Sequence, residues 1–376
     1  MAAAIYLHVP FCVAKCRYCD FYSAPFDGPT AMAYVRAAGM ELQSNASHLS
    51  QPPRSIFVGG GTPTSLGHRM LGRLLEALAP YRGSETEFTV EANPGTIDPV
   101  MAATLAEAGV NRVSLGVQSF HDDELAALGR IHTADQAHLA VALLRQAGLA
   151  NIGIDLMYAL PRQTMHSWRE SLAQAAGLGA SHLSCYALSF EPQTPLGKDL
   201  AAGRAVEMDE SMQKDLYYAA IESAEAAGME HYEISNFASA GRRCVHNLTY
   251  WRNESYLGIG PAAASYINGE RRTNHSDLQG YLATITDGRP APAGSESLSG
   301  RRLMAETAML GLRMTEGLCR QAFESRFSQD ILSAFPRSTS RYIQLGALEA
   351  SPQRLAIAKP FLFVADTILA DIVAEA

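Results

Sequence analysis

The stretch AIYLHVPFCVAKCRYCD, residues 4–20, joins an apolar segment to a loop with three cysteines and decides the fold. Its first six residues are largely apolar, as in a strand of a parallel sheet that is covered on both faces. Cys12, Cys16 and Cys19 follow with the spacing C-x3-C-x2-C. Thiolates at this spacing can hold one face of an iron–sulfur cluster, and three ligands leave one iron open. The sequence therefore predicts a cluster on a loop that follows a strand.

The same loop is also compatible with zinc, for which Asp20 or His8 could supply a fourth ligand. The other three cysteines, Cys185, Cys244 and Cys319, are scattered along the chain. Six cysteines in 376 residues do not indicate a disulfide framework, so we expect a reducing compartment.

Short apolar strands alternate with amphipathic helices over the first 228 residues, which predicts an α/β fold. Parallel strands need helical crossovers, and six strand–helix units predict a partial (β/α)6 barrel. The predicted strands begin at Ala4, Ser55, Glu87, Arg112, Asn151 and His182. The predicted helices cover 31–47, 69–79, 99–108, 134–147, 165–176 and 208–227.

The alternation stops after Gly228, and the remaining chain predicts two further parts. Residues 229–290 form a connecting segment that is rich in aromatic residues and glycine, and the polar stretch 287–300 reads as a linker. Residues 300–376 predict a small, mostly helical C-terminal domain with a short pair of strands. We therefore expect a barrel over 1–228, a connecting segment and this C-terminal domain.

Polar residues recur where the predicted strands end. The cysteine loop follows the first strand, and GGGT, residues 59–62, ends the second. Glu91, Gln118 and Asp155 lie at the ends of the next three strands. Ligands of parallel α/β sheets bind outside the carboxyl ends of the strands, so we expect the binding site there.

The charge and the hydropathy of the chain indicate which partners the protein binds and whether it spans a membrane. The net charge is −8, and no block of Lys and Arg is present, so we expect no nucleic-acid partner. Residues 171–190 contain no charged side chain and have the length of a membrane span. Polar and glycine residues interrupt this stretch, which favours a helix end, a turn and a buried strand. We expect a soluble, cytoplasmic protein, with peripheral membrane association left open.

The segments YLHVPFCVAKCRYCDF and GGGTPT together resemble the radical S-adenosylmethionine (SAM) superfamily. The resemblance implies a [4Fe–4S] cluster on Cys12, Cys16 and Cys19 whose open iron binds the amino and carboxylate groups of SAM. It further implies that one electron cleaves SAM to methionine and a 5′-deoxyadenosyl radical. Gly60, Gly61 and Thr62 then fall in the loop that contacts the SAM amine.

Four polar residues match the SAM site of the oxygen-independent coproporphyrinogen oxidase group. The match implies that Glu91 and Asp155 accept hydrogen bonds from the ribose or the amine, and that Arg130 pairs with the SAM carboxylate. Gln118 is the fourth of these residues. Further SAM contacts of that group fall on Tyr6, Tyr18 and Ala187.

Motifs along nearly the whole chain resemble the HemW branch of this group, a family of haem chaperones. Among them are DLMYALPRQT, YEISNFA and HNLTYWRN. The oxidase has a further Cys two residues after the third cluster ligand, where this chain has Phe21. The resemblance implies haem binding, for which His246 is the candidate ligand and Cys244 its rival. The alternative is a radical SAM enzyme that decarboxylates coproporphyrinogen III, and an RNA-modifying enzyme is disfavoured by the acidic charge.

The resemblance also implies the partners. A haem chaperone delivers haem to apoproteins, respiratory cytochromes among them, and a reducible cluster needs an electron donor. Whether SAM cleavage is required stays open, as does the choice between a monomer and a homodimer.

We expect the anaerobically reconstituted protein to hold one [4Fe–4S] cluster. Replacing Cys12, Cys16 and Cys19 by Ala should abolish its bound iron and its brown charge-transfer absorbance, because the thiolates are the ligands. The control variant Cys319→Ala should keep both. Iron retained by the triple variant would show that the ligand assignment is wrong.

Overall fold

One twelve-stranded sheet runs through the protein, and its seven middle strands are parallel. The computed structural model describes residues 2–49 and 51–376. Six of the parallel strands are β1 (Ala4–Val9), β2 (Ser55–Gly60), β3 (Glu87–Ala92), β4 (Arg112–Gln118), β5 (Ile152–Tyr158) and β6 (His182–Ala187). They lie side by side in sequence order, and at least one helix follows each of them. The predicted partial (β/α)6 barrel is confirmed, and the sheet does not close.

Eight helices accompany these strands. They are α1 (Gly28–Ser44), α2 (Gly67–Leu78), α3 (Pro99–Glu107), α4 (Asp122–Ala127), α5 (Ala134–Gln146), α6 (Met165–Gly177), α7 (Pro195–Ala201) and α8 (Glu210–Ala226). The six predicted helices all form, because their apolar faces cover the sheet. Side chains such as those of Thr133 and Thr164 cap them by accepting a backbone N–H at the third helical position. The short helices α4 and α7 were not predicted.

The connecting segment extends the same sheet at both ends. The strand β8 (Asn236–Ala238) lies antiparallel beside β6, and β7 (Glu230–Glu233) lies antiparallel beside β8 at the edge of the sheet. The strand β9 (Tyr256–Ile259) lies parallel to β1, and β10 (Ala264–Ile267), β11 (Glu270–Asn274) and β12 (Pro292–Ser297) continue antiparallel from it. Two predictions need correction, since β9 is a seventh parallel strand and the expected linker 287–300 contains β12. The boundaries at 228, 290 and 300 stay a prediction.

The C-terminal part is mostly helical, as predicted. Helices α9 (Val245–Trp251) and α10 (Leu278–Thr286) precede it, and it contains α11 (Gly300–Gly311), α12 (Arg320–Phe327), α13 (Ile331–Ala334), α14 (Pro336–Gln344) and α15 (Ala365–Ala374). Instead of the predicted strand pair it has a three-stranded antiparallel sheet of β13 (Leu318–Cys319), β14 (Leu348–Ala350) and β15 (Arg354–Ile357). Within the described ranges, no helix is both long and apolar enough to cross a membrane.

A buried carboxylate on α1 holds the connecting segment against the barrel. Glu41 is 2% exposed and accepts hydrogen bonds from the backbone N–H of Gly260 (2.8 Å), the hydroxyl of Tyr281 (2.7 Å) and the amide of Asn274 (2.7 Å). Burial raises the pKa of Glu41 to about 6. The three donors come from the end of β9, from α10 and from β11, so one side chain joins all three elements to α1.

We expect Glu41→Ala to destabilise the protein by about 3 kcal/mol or more, because it leaves three buried donors without an acceptor. The measurement is the midpoint of urea unfolding at neutral pH. Glu76→Ala, which removes an exposed glutamate from α2, is the matched control and should leave the midpoint nearly unchanged. Equal midpoints for the two variants would contradict the role given to Glu41.

Candidate functional site

The carboxyl ends of the parallel strands surround a cavity of about 480 Å³. It brings together the cysteine loop, the glycine loop and the polar ends of β3, β4 and β5, as the sequence predicted. The predicted site residues that line it are Cys12, Cys16, Tyr18, Cys19, Gly60, Gly61, Thr62, Glu91, Gln118, Arg130 and Asp155. Tyr6, Ala187 and His246 are not among the lining residues. Their contacts with SAM or haem stay predictions, as do those of the lining residues.

The three cysteines of the loop are free thiols that line the same cavity. The guanidinium of Arg130 donates to the sulfur of Cys16 (3.3 Å), and the hydroxyl of Thr62 lies 3.7 Å from the sulfur of Cys12. Donors to sulfur and a nearby cation stabilise thiolate ligands, so this set of side chains fits a cluster that carries three cysteine ligands. Among the described residues, no three Cys, His, Asp or Glu side chains form a group that could hold a single metal ion.

A zinc ion on the cysteine loop would need a fourth protein ligand, for which the sequence offered His8 or Asp20. His8 is buried, and its Nδ1 lies 3.0 Å from the hydroxyl of Tyr6 while its Nε2 lies 2.9 Å from the carbonyl oxygen of Tyr22. The amide of Gln193 donates to the carboxylate of Asp20. Both proposed fourth ligands are therefore engaged with other groups.

The glycines at the end of β2 are required by the protein's own packing. A Cβ at Gly59 would lie 2.6 Å from the carboxylate of Glu91, and one at Gly61 would lie 2.6 Å from the carbonyl oxygen of Phe11. At Gly60 the backbone is left-handed (φ 107°), and a Cβ would lie 2.4 Å from the ring of His8. The sequence suggested glycines that make room for a ligand, whereas these contacts show that they also let β1, β2 and β3 pack closely.

Two carboxylates, Glu91 and Asp155, line the cavity. Glu91 accepts a hydrogen bond from the backbone N–H of Gly60 (3.0 Å), and burial together with the nearby charge of Asp155 raises the pKa of Glu91 to about 8. Asp155 accepts from the hydroxyls of Ser114 (2.9 Å) and Ser184 (2.6 Å), and burial raises its pKa as well. Acceptors of this kind suit the amine or the hydroxyl groups of a ligand such as SAM.

Arg130 is a buried cation that lines the cavity beside the cysteine loop. One of its guanidinium nitrogens donates to Cys16 and another to the carbonyl oxygen of Gly116. Its Nε is buried and has no partner within the described part of the chain. The strand β4 slips in register between Gly116 and Gln118, and Gln118 has a left-handed backbone (φ 70°). This irregularity changes the direction of the last residues of β4, and the side chain of Gln118 lines the cavity.

His246 lies behind the cavity wall. It is 1% exposed, its Nδ1 lies 3.0 Å from the hydroxyl of Ser55, and its Nε2 lies 3.0 Å from the hydroxyl of Tyr250. Its ring stacks on Phe57 at 5.0 Å. Neither nitrogen is free for iron in this arrangement, so haem ligation by His246 would require one of these contacts to break.

Two neighbours of His246, one just before α9 and one on it, do face the cavity. Cys244 and Asn247 line it, together with Arg112 and His182 at the first residues of β4 and β6. Burial raises the pKa of the Cys244 thiol to about 12, so this thiol is protonated at neutral pH. Sequence reasoning missed Arg112 and His182, because it searched only the carboxyl ends of the strands.

We expect SAM affinity to rise as the pH rises through about 8, because the ionised form of Glu91 accepts hydrogen bonds from the N–H groups of an iron-bound amine better than the protonated form. Burial and the charge of Asp155 keep most of Glu91 protonated at neutral pH, so the affinity should increase several-fold between about pH 7 and about pH 9. Titration calorimetry measures it. Glu91→Gln should remove this dependence, and the exposed Glu107→Gln should keep it. A wild-type profile in Glu91→Gln would remove Glu91 from the SAM site.

Comparison with known proteins places this geometry in a family. Residues 6–175 match the Radical SAM superfamily, and residues 298–359 match the HemN C-terminal domain. The solved structure of coproporphyrinogen III oxidase (HemN) from Escherichia coli has a TM-score of 0.86 and 20% identity, and the likeness covers 100% of this chain and 91% of that one. At 20% identity, this structural likeness shows that the two chains share a fold.

Several curated relatives are similar over nearly their whole length, and each is named haem chaperone HemW. The protein from Bacillus subtilis is 35% identical over 92% of both chains. The protein from Escherichia coli is 32% identical over 91% of this chain and 93% of its own. The protein from Synechocystis is 38% identical over 85% of this chain and 79% of its own. The chain therefore belongs to the HemW family of the radical SAM superfamily.

Proposed function

We propose that this protein is a haem chaperone that binds haem and a SAM-coordinating [4Fe–4S] cluster and delivers the haem to apoproteins. The observation that carries the proposal is its identity of more than 30% to haem chaperones named HemW over nearly the full length of both chains. Membership in the radical SAM superfamily implies the cluster and SAM. Delivery to respiratory cytochromes and reduction by an electron donor are part of the proposal.

The cavity supplies the groups that the cluster and SAM need. Cys12, Cys16 and Cys19 would hold the cluster, which supplies an open iron and one-electron chemistry when bound. Arg130 would pair with the carboxylate of SAM, and Glu91 would accept from its amine. Arg130 also donates to Cys16, so one side chain would contact both SAM and the cluster.

The competing activity is the decarboxylation of coproporphyrinogen III. The resemblance to HemN extends to the fold, but Phe21 replaces the additional cysteine of the oxidase. Phe21 is 68% exposed and lines the cavity mouth, so an apolar ring occupies this position and offers no thiol chemistry.

The reconstituted protein should bind haem and transfer it to an apocytochrome b, and it should not convert coproporphyrinogen III to protoporphyrinogen under reducing conditions with SAM. The Soret band reports binding and transfer, and chromatography reports any porphyrin product. Absence of haem binding, or SAM-dependent formation of the product, would reject the chaperone function.

The ligand of the haem iron is tested in the same titration. We propose the α9 region, with His246 or Cys244 as the ligand, because it offers an imidazole and a thiol within three residues. His246→Ala and Cys244→Ala are compared with the controls His68→Ala and Cys319→Ala. Wild-type affinity and spectrum in both α9 variants would place the haem ligand elsewhere.

A further inference from the structure

The cavity continues downward from the cysteine loop to the amino ends of the strands. Arg112 is the first residue of β4 and His182 is the first residue of β6, and both line the cavity. A seven-residue strand spans roughly 20 Å, so this lower end lies well away from the loop that carries the cysteines. We call Arg112, His182 and Asn247 the lower subsite.

The guanidinium of Arg112 is only partly used by the protein. Its Nη1 donates to the carbonyl oxygen of Arg242 (2.9 Å) and lies 3.5 Å from the carboxylate of Glu87. Its Nε and Nη2 make no hydrogen bond with the described residues. The side chain is 2% exposed, so a buried cation retains two unpaired nitrogens, which carry three N–H donors, beside the cavity.

One nitrogen of His182 is paired with a hydroxyl. The Nε2 of His182 lies 2.8 Å from the hydroxyl of Tyr232, which also accepts from the backbone N–H of Cys244 (3.3 Å). Burial keeps the pKa of His182 well below its ordinary value, so the ring is neutral. When the Tyr232 hydroxyl donates to Nε2, the proton of the ring is on Nδ1.

The Nδ1 of His182 has no hydrogen-bond partner among the residues that the structure describes. It lies 3.5 Å from the position that a Cβ would take at Gly153, where the chain has no side chain. The amide of Asn247, on α9, also makes no hydrogen bond with the described residues. The lower subsite thus holds one buried nitrogen without a partner, on His182, beside N–H donors of Arg112 and Asn247 that line the cavity. A buried polar atom without a partner is costly, and a ligand would supply that partner.

The acidic groups nearby do not supply acceptors for these groups. Glu87 lies against Nη1 of Arg112, on the side that is already in use. Asp155 accepts from Ser114 and Ser184, and Glu91 accepts from the backbone of β2. A ligand that brings acceptor oxygens and a negative charge would complete the lower subsite, and the planar fork of Arg112 matches a carboxylate.

We propose that Arg112, His182 and Asn247 form a carboxylate-binding subsite at the amino ends of the strands, separate from the residues assigned to SAM. The proposal does not rest on haem binding. The carboxylate could belong to a small free acid or to a side chain of a porphyrin, and the chemistry of recognition is the same for both.

The experiment titrates carbon-13 carboxyl-labelled propionate into the cluster-loaded protein with saturating SAM and follows its NMR line width. Propionamide, which has the same shape and no charge, is the matched ligand. We expect propionate to bind at least about tenfold more tightly than propionamide, because a charge-assisted hydrogen bond is lost in the amide. Equal binding of both, or no binding of propionate, would overturn the proposal.

Two variants localise the binding. Arg112→Gln removes the cation, and Gly153→Ala fills the space beside His182 with a methyl group at an ordinary contact distance of 3.5 Å. Both should weaken propionate binding about tenfold or more. The control Arg36→Gln removes an exposed arginine from α1 and should bind like wild type. If Arg112→Gln does not fold, Gly153→Ala decides alone, and unchanged binding in that variant would overturn the proposal.

A second arm identifies the source of the carboxylate. Haem and haem dimethyl ester are titrated against wild type and Gly153→Ala. If haem binds more tightly than its ester and Gly153→Ala loses this difference, the lower subsite is supported and its ligand is a porphyrin side chain. If Gly153→Ala weakens propionate binding and haem binds no more tightly than its ester, the lower subsite is supported and its ligand is a small free acid.

Discussion

Every group assigned to the cluster and SAM depends on the parallel alignment of β1 to β6. Strands that run in one direction end at one edge, so residues far apart in sequence meet there without any direct bond between them. Cys12 and Asp155 line one cavity for this reason, although 142 other residues separate them. Helices cover the outer faces of the strands, which leaves the inner face to polar side chains.

Close packing at the end of β2 turns this alignment into a defined site. The glycines at 59–61 have protein atoms within 2.6 Å of the place where a side chain would begin. Such contacts hold the cysteine loop, the glycine loop and Glu91 in one position relative to each other. The backbone N–H of Gly60 then bonds the carboxylate that we assign to SAM, so the scaffold and the site share one hydrogen bond.

The sequence allowed the barrel and the carboxyl-end residues to be predicted, because both follow from periodicity along the chain. Arg112 and His182 could not be recognised, since their place in the cavity depends on the depth of the barrel. On α9, successive residues point about 100° apart, so the motif alone could not tell that Asn247 faces the cavity and His246 does not. The strand β12 was mistaken for a linker because all of its residues are exposed and it begins with proline, which an edge strand tolerates.

The position of β9 beside β1 has a consequence for biosynthesis. The first strand leaves the ribosome early, but the partner on one of its edges lies about 250 residues later in the chain. At typical translation rates of about 5–20 residues per second, that edge stays open for roughly ten seconds or more. An unpaired apolar strand is a template for pairing with other chains. The nascent protein therefore needs this edge of its first strand shielded, for example by a folding chaperone, until β9 emerges.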